Sequence, residues 1–260
     1  MNVLTPTNLD EALRLKAEHP GAWPIQGGTD VMVALNFDRG RPETVLNLNE
    51  VEELRGFARE NGSLRLGAGL TYAEIEHGEL REALPALAEA SRTVGSPQIR
   101  NRGTIGGNLG TASPAGDAIP PLVVEGAEVE CASTSGTRRV PVVDFVTGVK
   151  RNVLAPDELI TAVWLTPSGS PQTFMKVGPR NAMVIAVVSL AVSAGDELRA
   201  CFGSASPRPV LVTAPRDEAD TFAERVAAAG SPIDDVRGTG RYRRHALRVL
   251  AERALERVLA

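Results

Sequence analysis

Two short segments hold the residues of this chain whose types and spacing could do chemistry. One is Gln26-Gly27-Gly28-Thr29-Asp30-Val31; the other is Gly103-Thr104-Ile105-Gly106-Gly107-Asn108, continuing through Ser113 to Asp117. Five of the fifteen residues from Gly103 to Asp117 are glycine, against an average usage of about 7%. Glycine loses more conformational freedom on folding than any other residue, so such a run needs a reason. One reason is that backbone N–H groups must come close to an anion that side chains would block. Each segment lies between an apolar run and a helix start, and Thr29 or Asp30 is placed to cap the first helix. Alone, Gly27-Gly28 reads first as a plain strand-to-helix turn. The second segment is harder to dismiss, because its glycines cluster beside Thr104, Asn108 and Ser113, all able to hydrogen-bond. Together the two could hold a diphosphate by N–H groups without a lysine. Asp117 could accept bonds from ribose hydroxyls, or could cap the segment that starts at Ile119.

Other chemistries drop out. Gly67-Ala68-Gly69-Leu70-Thr71-Tyr72 begins like a dinucleotide fingerprint but has Tyr72 where the third glycine belongs, so a Rossmann assignment fails. There is no HExxH and no GxSxG, and none of Lys16, Lys150 or Lys176 follows a glycine in phosphate-loop fashion. The two cysteines, Cys131 and Cys201, lack the spacing for an iron–sulfur or zinc site, so no metal ligands are assigned and any metal redox centre belongs to a partner. The three histidines sit in Glu-rich or Arg-rich helical contexts and read as surface residues. A net charge of -4 with no long basic run argues against nucleic acid. The N-terminus lacks the pattern of a signal peptide and no apolar run reaches spanning length, which points to the cytoplasm.

The periodicity predicts an α/β unit at the start: a helix over Leu9–Ala17 capped at Thr7, a strand over Trp23–Gln26, a short helix over Val31–Asn36 and a strand over Thr44–Leu48. A hairpin around Asn61-Gly62 and a capping box at Thr71 follow. Pro167-Ser168-Gly169-Ser170-Pro171 has the composition of a boundary. Beyond it, Gln172–Val177, Val184–Ala194 and Leu198–Ser204 suggest an antiparallel sheet, with helices over Asp217–Ala229 and Arg241–Leu259. The last helix places Leu247, Leu250, Ala254 and Val258 on one stripe. This gives residues 1–52 and 53–167 as two subdomains and 172–260 as a C-terminal domain.

Pro97-Gln98-Ile99-Arg100-Asn101-Arg102-Gly103-Thr104-Ile105-Gly106-Gly107-Asn108-Leu109, with Ala112-Ser113-Pro114-Ala115-Gly116-Asp117, closely resembles the FAD-binding medium subunit of the molybdenum hydroxylases. This is the group of xanthine dehydrogenase and aerobic carbon monoxide dehydrogenase. Gly27-Gly28-Thr29-Asp30, the stretch Phe174 to Arg180 with Ile185 to Ser189, and Tyr242-Arg243-Arg244 to Leu255 extend the resemblance. It implies an α+β chain: a PCMH-type FAD-binding fold of two α/β subdomains, then a C-terminal three-stranded antiparallel sheet with helices. It further implies that Gln26 to Val31 and Thr104, Ile105, Gly106 and Gly107 wrap the diphosphate of FAD. Asn108, Ser113 and Asp117 fall where the family contacts phosphates and ribose, Val94 and Gly95 where its chain passes the cofactor, Ile160 on the strand beside the flavin, and Lys176 near the flavin ring. The chain is shorter than a typical medium subunit, chiefly between Pro209 and Asp234.

The resemblance implies electron transfer from an iron–sulfur small subunit and a molybdenum-cofactor large subunit through FAD to an external small-molecule or protein acceptor. No side chain need act as a general base. Two alternatives remain at this point: a free-standing FAD oxidoreductase with its own substrate, and a non-catalytic binding protein that has lost flavin.

Overall fold

A computed structural model describes residues 1–260, and its chain opens on a small parallel sheet. Strands β1 (Asn2–Leu4), β2 (Trp23–Ile25) and β3 (Thr44–Asn47) lie in the order β1-β3-β2. Parallel pairing demands crossovers, and the helices Leu9–Glu18 and Val31–Asn36 supply them. Asn8, one residue past the expected Thr7, caps the first helix by accepting from the Glu11 N–H at 2.9 Å. The second helix buries none of its residues.

The second sheet is antiparallel throughout, in the order β4-β5-β10-β6-β7: β4 (Phe57–Glu60), β5 (Ser63–Gly67), β6 (Glu128–Ser133), β7 (Gly136–Pro141) and β10 (Leu159–Leu165). This corrects the expectation of a second α/β subdomain. The physical reason is the connections, since Asn61-Gly62 and Thr134-Ser135 are two-residue turns that can join only antiparallel neighbours. Asn61 and Gly62 both have positive φ, at 50° and 84°. Between β5 and β6 the chain inserts six short helices, among them Pro85–Arg92, Ile105–Thr111 and Ile119–Val124. A two-stranded ribbon, β8 (Val146–Gly148) with β9 (Arg151–Asn152), leads into β10, which is buried along its whole length.

The third sheet has four antiparallel strands where three were expected: β11 (Gln172–Val177), β12 (Val188–Ala194), β13 (Glu197–Gly203) and β14 (Leu211–Pro215). The segment between Pro209 and Asp234, short against the family, holds this fourth strand and the helix Ala219–Ala229. The helix Gly240–Leu259 buries Leu247, Leu250, Ala254 and Val258 on the expected stripe. No helix is long and apolar enough to cross a membrane.

Two apolar cores result. The larger runs from Ala12 to Cys201, and the smaller fills the space between the third sheet and its helices. Strand β12 serves both: Ala191 belongs to the larger core, while Val188, Leu190, Val192 and Ala194 belong to the smaller. Polar clasps reinforce this junction. Glu89 accepts from Thr173 Oγ1 at 2.8 Å and from the Phe174 N–H at 2.7 Å, and Glu125 accepts from the Ser168 N–H at 3.0 Å and from Gln172 Nε2 at 2.8 Å.

Candidate functional site

The two glycine segments face one another across a cavity of about 910 Å³. That volume suits a cofactor-sized ligand. Gln26 through Val31 form one wall; Thr104, Gly106, Gly107, Asn108, Ser113 and Asp117 form the other. Val94, Gly95 and Ile160 close the remaining sides, and Met183, Val184 and Ile185 stand at the lining of the same space. A register shift between Ile160 and Ala162 interrupts the pairing of β10 with β6 where the strand passes the cavity, a common place for a bulge to aim a side chain.

The first segment keeps its donors free. The backbone N–H groups of Gly27, Gly28, Thr29, Asp30 and Val31 donate to no acceptor in the chain, although the Met32 N–H just beyond donates to Gly28 O at 2.9 Å. Gly28 has φ of 76°, a conformation costly for a side-chain-bearing residue. At Gly27 a Cβ would overlap the carbonyl oxygen of Arg102. Asp30 does not cap the helix it precedes. Its Oδ2 instead accepts from Thr111 Oγ1 at 2.9 Å, tying the two walls together.

The second segment spends its donors internally. Thr104 caps the helix Ile105–Thr111, its Oγ1 accepting from the Gly107 N–H at 3.0 Å. The Ile105 N–H goes to Leu70 O at 3.0 Å, Gly106 N–H to Ala68 O at 2.9 Å, and Asn108 N–H to Thr104 O at 3.0 Å. The expected second N–H cradle is therefore a helical turn whose donors are already engaged. Gly106 answers to packing, since a Cβ there would stand 2.7 Å from both the Cβ and the carbonyl oxygen of Ala68. What this wall offers instead is acceptors. Asn108 Oδ1 and Asp117 Oδ1 are buried with no hydrogen-bond partner, and a buried polar atom left unpaired is costly unless a ligand or water completes it.

Two of the expected residues do not line the cavity. Ile105 is fully buried in the larger core, because the first helical position points its side chain beneath the turn. Lys176 lies behind Asp117, its Nζ 2.5 Å from Asp117 Oδ2 and 3.2 Å from Thr93 O. Burial pushes the Asp117 carboxyl up to about 6, even though the Lys176 ammonium pulls it down.

Tyr72, which breaks the dinucleotide fingerprint at its third glycine and is not among the expected site residues, lines the cavity. Burial, with Asp117 and Asp30 adding to it, pushes its hydroxyl well above the usual range, so it stays protonated. A signal for Tyr72 existed in the capping box beside it, where Thr71 Oγ1 accepts from Glu74 N at 3.3 Å and Glu74 Oε2 accepts from Thr71 N at 2.8 Å. That box holds Tyr72 at the first position of a helix, and its N–H donates to Gly103 O at 3.1 Å.

Free donors on one wall, unpaired buried acceptors on the other and the volume between them fit a dinucleotide such as FAD. Residues 1–167 match the family described as the FAD binding domain in molybdopterin dehydrogenase. The xanthine dehydrogenase FAD-binding subunit of Escherichia coli O157:H7 is 29% identical over 273 residues, covering 97% of this chain and 94% of its own. The nicotinate dehydrogenase FAD-subunit of Eubacterium barkeri is 36% identical over 201 residues, covering 74% of this chain and 68% of its own. In fold the chain is similar to the reconstituted CO dehydrogenase from Oligotropha carboxidovorans, with a TM-score of 0.92 and 24% identity over 99% of this chain and 97% of the matched one. With its first 167 residues matched to that family and relatives alike along most of its length, the chain belongs to the FAD-binding subunits of the molybdenum hydroxylase-type dehydrogenases.

Proposed function

We propose that this chain receives electrons from an iron–sulfur subunit fed by a molybdenum-cofactor subunit and passes them through FAD to an external small-molecule or protein acceptor. The observation that carries the reading is the run of five unpartnered N–H groups at Gly27–Val31, which lines one cavity with the orphaned Asn108 Oδ1 and Asp117 Oδ1. FAD, when bound, would supply redox chemistry that takes up electrons singly and can release them singly or in pairs, and the protein supplies position, access and electrostatics.

The Gly27–Val31 donors bind the diphosphate, a role that backbone amides fill without a countercharge. Gly106 and Gly107 present a side-chain-free surface against which the phosphates lie, and Thr104 caps the helix that carries them. Asn108 Oδ1 and Asp117 Oδ1 accept from ligand hydroxyls, and Ser113 stands beside them. Asp117 has one oxygen left for this task, since Lys176 takes the other. With its carboxyl raised to about 6, Asp117 holds a proton at Oδ1 in mildly acid solution and accepts there above it. Val94, Gly95 and Ile160 give the ring an aliphatic bed and exclude water. Lys176 fixes Asp117 rather than reaching the ring itself.

In this reading residues 1–52 and 53–167 form the two halves that clasp FAD, and 172–260 form the C-terminal domain. Met183, Val184 and Ile185 lie at the edge where an acceptor approaches. The cytoplasm is the compartment we propose, in keeping with two buried cysteines that are both unpaired. Purification under mild conditions tests the whole reading. A flavin spectrum together with co-eluting iron–sulfur and molybdenum subunits is the expected result; a flavin-free chain that takes up no added FAD overturns it.

A further inference from the structure

We infer that Arg102 is a positioning residue for the cofactor diphosphate, acting from outside the cavity through the Gln26–Gly27 peptide. The inference rests on the diphosphate reading above and adds to it a positive charge placed behind the Gln26–Gly27 peptide. Lys150, exposed, is the cation found among the lining residues, and Lys176 is committed to Asp117.

Arg102 reaches across from the second segment to the first. Its Nη2 donates to Gln26 O at 3.2 Å and to Asn49 Oδ1 at 3.0 Å. Gln26 O belongs to the same peptide group as the Gly27 N–H, the first of the five free donors. A cationic donor on the carbonyl polarises that amide and strengthens its N–H toward an anion. The main chain of Arg102 makes the second contact, because its carbonyl oxygen occupies the space a Gly27 Cβ would need. Side chain and backbone of one residue therefore set the register between the two walls.

The support behind Arg102 is built rather than incidental. Asn49 Nδ2 donates to Asn47 Oδ1 at 2.6 Å and the Asn49 N–H donates to the same oxygen at 3.2 Å. This leaves Asn49 Oδ1 turned to Arg102, while the Arg55 guanidinium donates to the Asn49 carbonyl oxygen. Arg102 forms no ion pair with a carboxylate of the chain. Behind the segment lies a second cavity of about 330 Å³, lined by ten residues of which none is hydrophobic, Arg55, Arg102 and Glu74 among them.

The test uses the full chain with three ligands: FAD; ADP, which carries the diphosphate without the ring; and riboflavin, which carries the ring without phosphate. Arg102→Gln is expected to weaken FAD and ADP by the same factor, roughly fivefold after allowance for an exposed charge. It is expected to leave riboflavin unchanged and to flatten the fall of FAD affinity with added salt. Arg102→Lys recovers part of the loss. Equal losses for ADP and riboflavin, or no loss at all, overturn the assignment. Should Arg102→Gln fail to fold, Asn49→Ser decides, since it removes one anchor of the guanidinium and touches neither segment: a smaller loss confined to FAD and ADP supports the role, and unchanged ADP binding refutes it. A wild-type chain that binds ADP no better than adenosine would sink the diphosphate reading itself. Clear wild-type preference for ADP with an unaffected Arg102→Gln sinks only the part given to Arg102.

Discussion

The two glycine-bearing segments look alike in composition and work in opposite ways. Gly27 and Gly28 begin a run of five backbone donors that the protein leaves open. Gly106 and Gly107 begin a helix whose donors are consumed by Ala68 and Thr104. The first segment leaves its backbone donors open while Gly27 also makes room for the Arg102 carbonyl, and in the second Gly106 lets two pieces of chain meet closely. Glycine enrichment thus marks close approach, and only the hydrogen-bond partners say whether the approaching body is a ligand or the protein itself.

Three substitutions can break or sharpen that contrast. The largest effect belongs to Gly106→Ala. A new methyl 2.7 Å from Ala68 Cβ and O forces the helix Ile105–Thr111 off its seat and strains the Gly106–Ala68 hydrogen bond. Urea denaturation of the flavin-free chain should show a loss of about 3 kcal/mol; a loss under about 1 kcal/mol would remove the packing role assigned to this glycine. Gly27→Ala should act the other way round. Its methyl meets the Arg102 carbonyl, but the following helix buries nothing and can swing outward. FAD affinity by titration calorimetry should drop about 100-fold, near 2.8 kcal/mol, with a smaller cost to flavin-free stability than Gly106→Ala. The smallest effect, and the most discriminating, is that of Gly107→Ala. Its Cβ would touch only Thr104 Oγ1, at 3.0 Å, and alanine favours a helix by up to about 1 kcal/mol over glycine. Flavin-free stability should hold or rise while FAD affinity falls about tenfold, because the methyl stands in the cavity. Parallel loss of both would erase the distinction between the exposed and the packed glycines.

Much of the fold is legible in local sequence. Asn61-Gly62 dictates a tight hairpin, the Thr71 capping box opens its helix, and the Leu247, Leu250, Ala254 and Val258 stripe marks the face that is buried. Each of these signals acts within a few residues. The fourth strand of the last sheet escapes such reading, since Leu211–Pro215 is short, half-exposed and bracketed by Pro207, Pro209 and Pro215. Pairing with β13 supplies what its own residues do not. At the site, residue types identify the walls, yet partners decide the roles. Lys176 meets Asp117 across 59 positions, and Arg102 meets Gln26 across 76. Neither contact leaves a mark in the spacing of nearby residues. Ile105 misleads for a related reason: one step along a helix turns a side chain from the cavity to the core.

Strand β12 carries a consequence for anyone who would treat the cofactor-holding part as a module. Both of its faces are buried, one in each core. The helix Ile119–Val124, buried along its whole length, packs against β12 and β13, and Glu89 and Glu125 are satisfied by groups between Ser168 and Phe174. A chain cut after residue 167 would bare that helix to water and strand two carboxylates without their donors. Such a fragment would associate through the bared face before it could hold a flavin. Grafting this half onto another protein therefore requires carrying the party wall along with it.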